Sequence, residues 1–477
     1  MRYKYFLFFF FSLFIKIISL NEEKEKIIFA WQMNRHGARA PYLGVENGFD
    51  VYNEHWTQIE ELSEVGKRML YLLGVKVRKR YVEEFRLLSE KYNPQEIYIR
   101  STDVNRTIGS IQSFLQGLYP NGTGPTIEDK ILQNESLIFP PNKNYKNDFK
   151  NITNIYQLNE NKWALPFGMS VQPVHLFYKP AHEFGLYDTK ICKGHKEIYE
   201  KQLIRKDVLN FAEELLKNFS FFQNLEKVDY SNQTFMNDYW TIYKYMDGFI
   251  CDDKDQRSFD YMRKTFPEFD EKKDLLNNAS KQFLKMDYFD TNFPKGEVNI
   301  SIMANSYTMH SIVNWMEKAI KGNETNHKYI KYVIYSAHDS SIGALEHFMQ
   351  YAFNITPQYA EFAETRYFEL YIDNNKETKV RYLNGKKDII TDITFSQFKE
   401  IINKTTWSDQ DVAEYCQFET KNEKDEKNEK DEKNEKDKEN EKEKKNDEEK
   451  IIIISMIILS TINLVLILVL ILSCKQK

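Results

Sequence analysis

The chain has 477 residues, too many for one simple core and enough for a two-part globular body with tails. Its 66 Lys and Arg against 71 Asp and Glu leave a formal net charge of -5, which singles out no class of partner. The chemistry has to be sought in the motifs.

Residues 1–20 read as a secretory signal. Arg2 and Lys4 supply the positive end, Phe6 to Ile15 form an apolar run broken only by Ser12, and polar sequence opens at Asn21. Lys16 stops the run well short of the roughly 20 residues that a membrane span requires. Ile27-Ile28-Phe29-Ala30-Trp31 then reads as a buried strand, apolar and uncharged. It runs into Asn34-Arg35-His36-Gly37-Ala38-Arg39-Ala40-Pro41. Ser63 stands where it can cap a helix carrying Leu70, Leu73 and Val77. A second strand, Ile97-Tyr98-Ile99, ends in Arg100-Ser101-Thr102-Asp103. The helix after it has Val104, Ile108, Ile111, Phe114, Leu115 and Leu118 on its apolar side and stops at Pro120-Asn121-Gly122.

Residues 119–286 show little strand patterning and many aromatics, among them Trp163, Phe167, Phe221 and Trp240. Helical runs such as Val208 to Phe219 mark a mostly helical cap, inserted into an α/β core of residues 21–118 and 287–418. His175 within it reads as a core or supporting residue. A third strand, Tyr332-Val333-Ile334-Tyr335, ends in Ser336-Ala337-His338-Asp339-Ser340-Ser341 and opens another helix. Arg366 to Ile372 and Thr378 to Leu383 flank Asp373-Asn374-Asn375 as a hairpin.

Residues 419–450 are a run of Asn, Glu, Lys and Asp that cannot bury apolar area, so they read as a solvated spacer. Their mixed charges nearly cancel, which argues against a nucleic-acid arm. Residues 451–473 are apolar and long enough to cross a bilayer, and 474–477 would be a cytosolic tail. The expected arrangement is a single-pass type I protein of the lysosome, endomembrane system or cell surface, with its body lumenal or extracellular. Asn-x-Ser/Thr sites such as Asn121, Asn218 and Asn278 agree with a secretory route.

Each polar cluster follows a buried strand and precedes helical sequence. Parallel strands of an open α/β sheet share one carboxyl edge, where ligand crevices form. The clusters would there bring together Arg35, His36, Arg39, Arg100, His338 and Asp339. Three guanidiniums, two imidazoles and a carboxylic acid can hold an anion, attack it and protonate a leaving group. The fixed positions of Arg-His-Gly-x-Arg-x-Pro would arise by chance on the order of 10⁻⁴ times in such a chain, so the pattern carries information.

These segments resemble the histidine acid phosphatase branch of the histidine phosphatase superfamily, close to the lysosomal and prostatic acid phosphatases. The resemblance rests on Arg35 to Pro41, Leu62-Ser63-Glu64-Val65-Gly66, Ile99 to Thr107 and Tyr335 to Asp339. It implies a three-layer α/β sandwich with a mostly parallel sheet, capped by the inserted helical region. It makes His36 the nucleophile, places Arg35, Arg39, Arg100 and His338 around the phosphate, and makes Asp339 the proton donor. No metal or other cofactor is implied. It also implies a Cys192–Cys416 disulfide, which leaves Cys251 as a buried thiol outside any disulfide. The substrate would be a phosphate monoester. Inositol phosphates and lysophosphatidate are alternatives, as is a catalytically silent surface receptor on the same fold. The oligomeric state stays open, a dimer included.

Overall fold

The computed structural model describes residues 25–41, 60–133, 162–177, 268–285, 298–386 and 388–417, with short pieces between 192 and 264. The strands are β1 (Lys26–Arg35), β2 (Ile97–Thr102), β3 (His175–Phe177), β4 (Tyr332–Ala337), β5 (Thr365–Ile372), β6 (Thr378–Leu383) and β7 (Ile389–Thr394). The principal helices are α1 (Glu64–Arg78), α2 (Asn105–Leu118), α3 (Phe269–Lys285), α4 (Val298–Thr325), α5 (Asp339–Phe353), α6 (Phe395–Thr405) and α7 (Asp409–Cys416).

Among the described residues the sheet has seven strands in the order β3-β2-β4-β1-β5-β6-β7. The first four run parallel and the last three are added antiparallel, so the sheet is mixed around a parallel half. The hairpin falls where the sequence puts it, and β7 is an additional strand on its far side. The carboxyl ends of β2, β4 and β1 lie side by side, as the sequence requires if the polar clusters are to meet.

β1 is longer than its apolar run. It continues through Gln32 and Asn34 to Arg35, buried throughout after Lys26. Gln32 and Asn34 each find one side-chain partner on β4. The Tyr332 hydroxyl donates to Gln32 Oε1, and Asn34 Nδ2 donates to Ser336 Oγ at 3.5 Å. Two apolar layers flank the sheet. On one side Leu70 and Val77 of α1 and Ile111, Phe114 and Leu118 of α2 pack on Ile97, Ile99 and Ile334. On the other, Met309, Ile312 and Met316 of α4, Leu345 and Phe348 of α5 and Phe398 of α6 pack on Trp31, Met33 and Val333. Helices on both faces of one sheet make the three-layer sandwich.

A fully buried ion pair between Glu346 and Arg366 braces the chain beside the sheet edge. Glu346 also accepts from the Gln358 amide at 2.7 Å and the Tyr382 hydroxyl at 2.7 Å, while Arg366 donates to the carbonyls of Thr365 and Gln358. Because every partner is satisfied, the pair fixes the segment that carries Tyr359, Ala360 and Phe362.

Within the 119–286 region, α3 and a helical stretch at 246–255 are described, and a Cys192–Cys416 disulfide ties the region to α7. Cys251 forms no disulfide and is buried. His175 is exposed on the edge strand β3, stacked on Tyr98 at 4.9 Å, rather than in the core. The signal, the charged spacer and the 451–473 run fall outside the described residues. Among those described, no helix is long and apolar enough to cross a membrane.

Candidate active site

β1 delivers Arg35 and His36 to the sheet edge, and α1 holds the turn that follows. Ser63 caps α1 by accepting from the Gly66 amide at 3.1 Å, as its place in the sequence requires. Its backbone amide donates to the Ala38 carbonyl at 3.0 Å. Gly37 and Gly66 meet backbone to backbone. A Cβ on Gly37 would lie 2.5 Å from the Gly66 oxygen, and one on Gly66 would lie 2.1 Å from the Ala38 oxygen. That contact explains why both motifs carry glycine at these positions.

Nδ1 of His36 lies 2.8 Å from the Gly37 carbonyl oxygen. A carbonyl can only accept, so Nδ1 carries the proton and the neutral ring keeps its lone pair on Nε2. Burial holds His36 well below its ordinary pKa of 6.5, with Arg35, Arg106, Arg39 and His338 adding to the effect. His338, 5.6 Å away between ring centroids, is lowered by burial and by Arg106, Arg39 and Arg35. It is the N-cap of α5, and its Nε2 lies 3.0 Å from Thr102 Oγ1 at the end of β2. Asp339 is the first residue of α5, where the helix dipole favours a carboxylate. Its Oδ2 is 2.6 Å from Arg35 Nη2, and its Oδ1 accepts from the Ser340 amide at 2.9 Å.

Arg35 is positioned further by the Ala360 carbonyl at 2.9 Å, by the Tyr359 hydroxyl at 3.3 Å and by the Phe362 ring, 4.2 Å from its guanidinium carbon. Arg39 forms a two-pronged pair with Asp247. The structure thus unites Arg35, His36, Arg39, His338 and Asp339.

Arg100 stands apart from these five. It lies two residues before the end of β2, paired in register with Tyr335, on the strand face that also carries Tyr98. There it offsets part of the upward push that burial gives the Tyr335 hydroxyl. The third guanidinium acting on both imidazoles is Arg106, the second residue of α2. Arg106 pairs with Glu60 at 2.7 Å and is itself lowered by burial and by Arg39. Arg106 stands inside the quoted Ile99 to Thr107 motif. The available signal was its place in the first turn of a helix that follows a buried strand.

The buried imidazoles have a consequence for stability. His36 and His338 are held well below 6.5, and His347 down to about 4, chiefly by burial. Below about pH 6.5 the unfolded chain takes up protons at these positions that the folded chain refuses, so stability falls as the pH drops toward the folded-state values. Melting temperature is therefore expected to decline from about pH 7 to about pH 5, and His347→Gln, remote from the site, is expected to make the decline shallower. An unchanged slope in that variant would remove His347 from the effect.

Residues 26–384 match the sequence profile described as histidine phosphatase superfamily (branch 2). Among curated relatives, the lysosomal acid phosphatase of Xenopus laevis is 40% identical over 107 residues, 22% of this chain and 23% of that protein. The lysophosphatidic acid phosphatase type 6 of Mus musculus is 36% identical over 80 residues, 17% of this chain and 19% of that protein. The chain spans about a quarter of the length of the curated relatives it matches first. A solved phytase of Hafnia alvei in complex with tartrate aligns over 81% of this chain and 98% of its own, at 12% identity and a TM-score of 0.49. By its match over 26–384, the chain belongs to branch 2 of the histidine phosphatase superfamily.

Proposed function

We propose that the protein is an acid phosphatase that hydrolyses phosphate monoesters through a phosphohistidine on His36. The observation that supports this most is the state of that ring. Its Nδ1–H is committed to the Gly37 carbonyl, and Nε2 keeps a lone pair amid three guanidiniums. The phosphoryl oxygens would be held by Arg35, Arg39, Arg106 and His338, which offset the charge spread over them during transfer. Nε2 attacks phosphorus in line with the ester oxygen. The P–O bond breaks, and Asp339 gives its proton to the departing alcohol. Water then attacks the phosphohistidine, Asp339 takes up a proton from that water, and inorganic phosphate and neutral His36 are released.

The depressed His36 keeps its lone pair in acid. General-acid help to the leaving alcohol requires a protonated donor, which acid favours. Activity is therefore expected to peak at roughly pH 4–6 and to fall by neutrality. Asp339→Asn cannot protonate an alkoxide, so it is expected to slow alkyl phosphates more than a nitrophenyl ester, whose leaving group needs little help. Rates on both substrates with both proteins test this, and equal losses would remove Asp339 from the role.

A lysophosphatidate-type monoester is the second reading for the substrate, favoured by the similarity to the mouse lysophosphatidic acid phosphatase. In the same proposal residues 1–20 target the chain to the secretory route. The 119–286 region caps the site, 419–450 tethers the body, and 451–473 anchors it with the active site lumenal or extracellular. The charge pattern and apolar run lengths in the sequence support that placement.

A further inference from the structure

We infer that Asp247, on the helical stretch at 246–255, is a positioning residue that aims Arg39 at the substrate phosphate. The inference rests on the phosphatase reading above and deepens it. Asp247 Oδ1 accepts from Arg39 Nη2 at 2.7 Å and Oδ2 accepts from Nη1 at 3.0 Å, with both side chains almost wholly buried at 6% and 3% exposure. Such a fork-to-fork pair fixes the plane of the guanidinium as well as its distance. The Ala40 carbonyl takes a further bond from Nη1 at 2.8 Å, and Cys251 Sγ packs 3.6 Å from the same nitrogen.

Each of the three guanidiniums around His36 has a carboxylate partner, and the three partners differ in what they can do. Asp339 on Arg35 has chemistry of its own. Glu60 on Arg106 is about one-third exposed and can turn toward water when an anion arrives. Asp247 has no such exit, because its side chain is 3% exposed. It must stay on one edge of the Arg39 fork and so dictates the direction of the remaining N–H groups. Arg39 itself follows β1, on the core side of the chain. The arginine is thereby set by a residue more than two hundred positions away, on the inserted region.

The stretch does not depend on Asp247 to dock. Met246, Phe249 and Ile250 are buried, and Asp255, two helical turns on from Asp247, accepts from Ser63 Oγ at 2.8 Å. Asp247→Asn is therefore expected to fold, while an amide offers one acceptor oxygen in place of the two that the Arg39 fork engages.

The test is a double-mutant cycle on the full chain, read by calorimetric binding of inorganic phosphate and separately by kcat/KM on a monoester. Asp247→Asn is expected to weaken phosphate binding and lower kcat/KM by about tenfold to a hundredfold, as a slight misplacement of a clamping group does. In an Arg39→Ala background the same substitution is expected to change neither, since Asp247 acts through Arg39. Asp255→Ala loosens the same stretch without touching Arg39, and should lower the melting temperature while leaving phosphate affinity intact. Wild-type affinity in Asp247→Asn, additive losses in the double variant, or an equal affinity loss in Asp255→Ala would each overturn the inference. A wild-type protein that binds phosphate but turns over no monoester would instead refute the phosphatase reading, with the cycle still interpretable.

Discussion

His36→Ala is expected to lower kcat by about four orders of magnitude or more while leaving the melting temperature within a few degrees of the wild type. The size follows from the covalent step. Among the described residues that surround the site, His338 is the other imidazole, and its Nε2 is engaged with Thr102 Oγ1. The fold is expected to tolerate the change because His36 follows the last residue of β1, and because the turn is held by backbone contacts. His36 N donates to the Ala337 carbonyl, Gly37 N to Ser110 Oγ and Ser63 N to the Ala38 carbonyl. None of these needs the ring. Activity and thermal unfolding measured on one preparation separate the two effects. A variant that keeps a tenth of wild-type turnover would remove His36 as nucleophile.

Arg106→Ala is expected to cost about 10²–10³ in kcat/KM, the usual scale for removing one charged donor from an oxyanion site, whereas Arg100→Ala should stay within about a few-fold of wild type. The contrast comes from placement. Arg106 acts on both imidazoles, and its ordinary charge is opposed by Arg39, which means the two guanidiniums press toward the same space. Arg100 is spent beside Tyr335 within the sheet. Inorganic phosphate inhibition, measured in parallel, should weaken with Arg106→Ala and hold with Arg100→Ala. The reverse pattern would restore Arg100 to the site.

That pair also marks where the sequence is legible and where it is not. Strand ends could be placed because apolar runs stop abruptly at charged residues. The sheet edge then gathered Arg35, His36, His338 and Asp339 without knowledge of any contact. Arg100 and Arg106 share one motif, and choosing between them needed the boundary between strand and helix. β2 continues to Thr102, so Arg100 is still a strand residue sharing a face with Tyr98, while α2 starts at Asn105 and presents Arg106 in its first turn. Gln32 and Asn34 hid the length of β1, because their partners on β4 are hundreds of residues away. Asp247, Tyr359 and Phe362 were invisible for the same reason. Each meets Arg35 or Arg39 through tertiary folding, and none stands in a local pattern that announces it. His175 lies on an exposed edge strand rather than in the core, stacked on Tyr98, and nothing local in its segment distinguishes the two.

The covalent intermediate is the central claim, and rapid acid-free quenching with ³²P-labelled monoester tests it most directly. Under alkaline conditions that preserve phosphohistidine, wild-type protein should carry label on the peptide containing Arg35-His36-Gly37, at a level that rises and decays within one turnover. His36→Ala should carry none, and Asp339→Asn should accumulate more if regeneration of free His36 by water is slowed. Label on any other residue, or turnover with no trapped phosphate under these conditions, would contradict the assignment of His36.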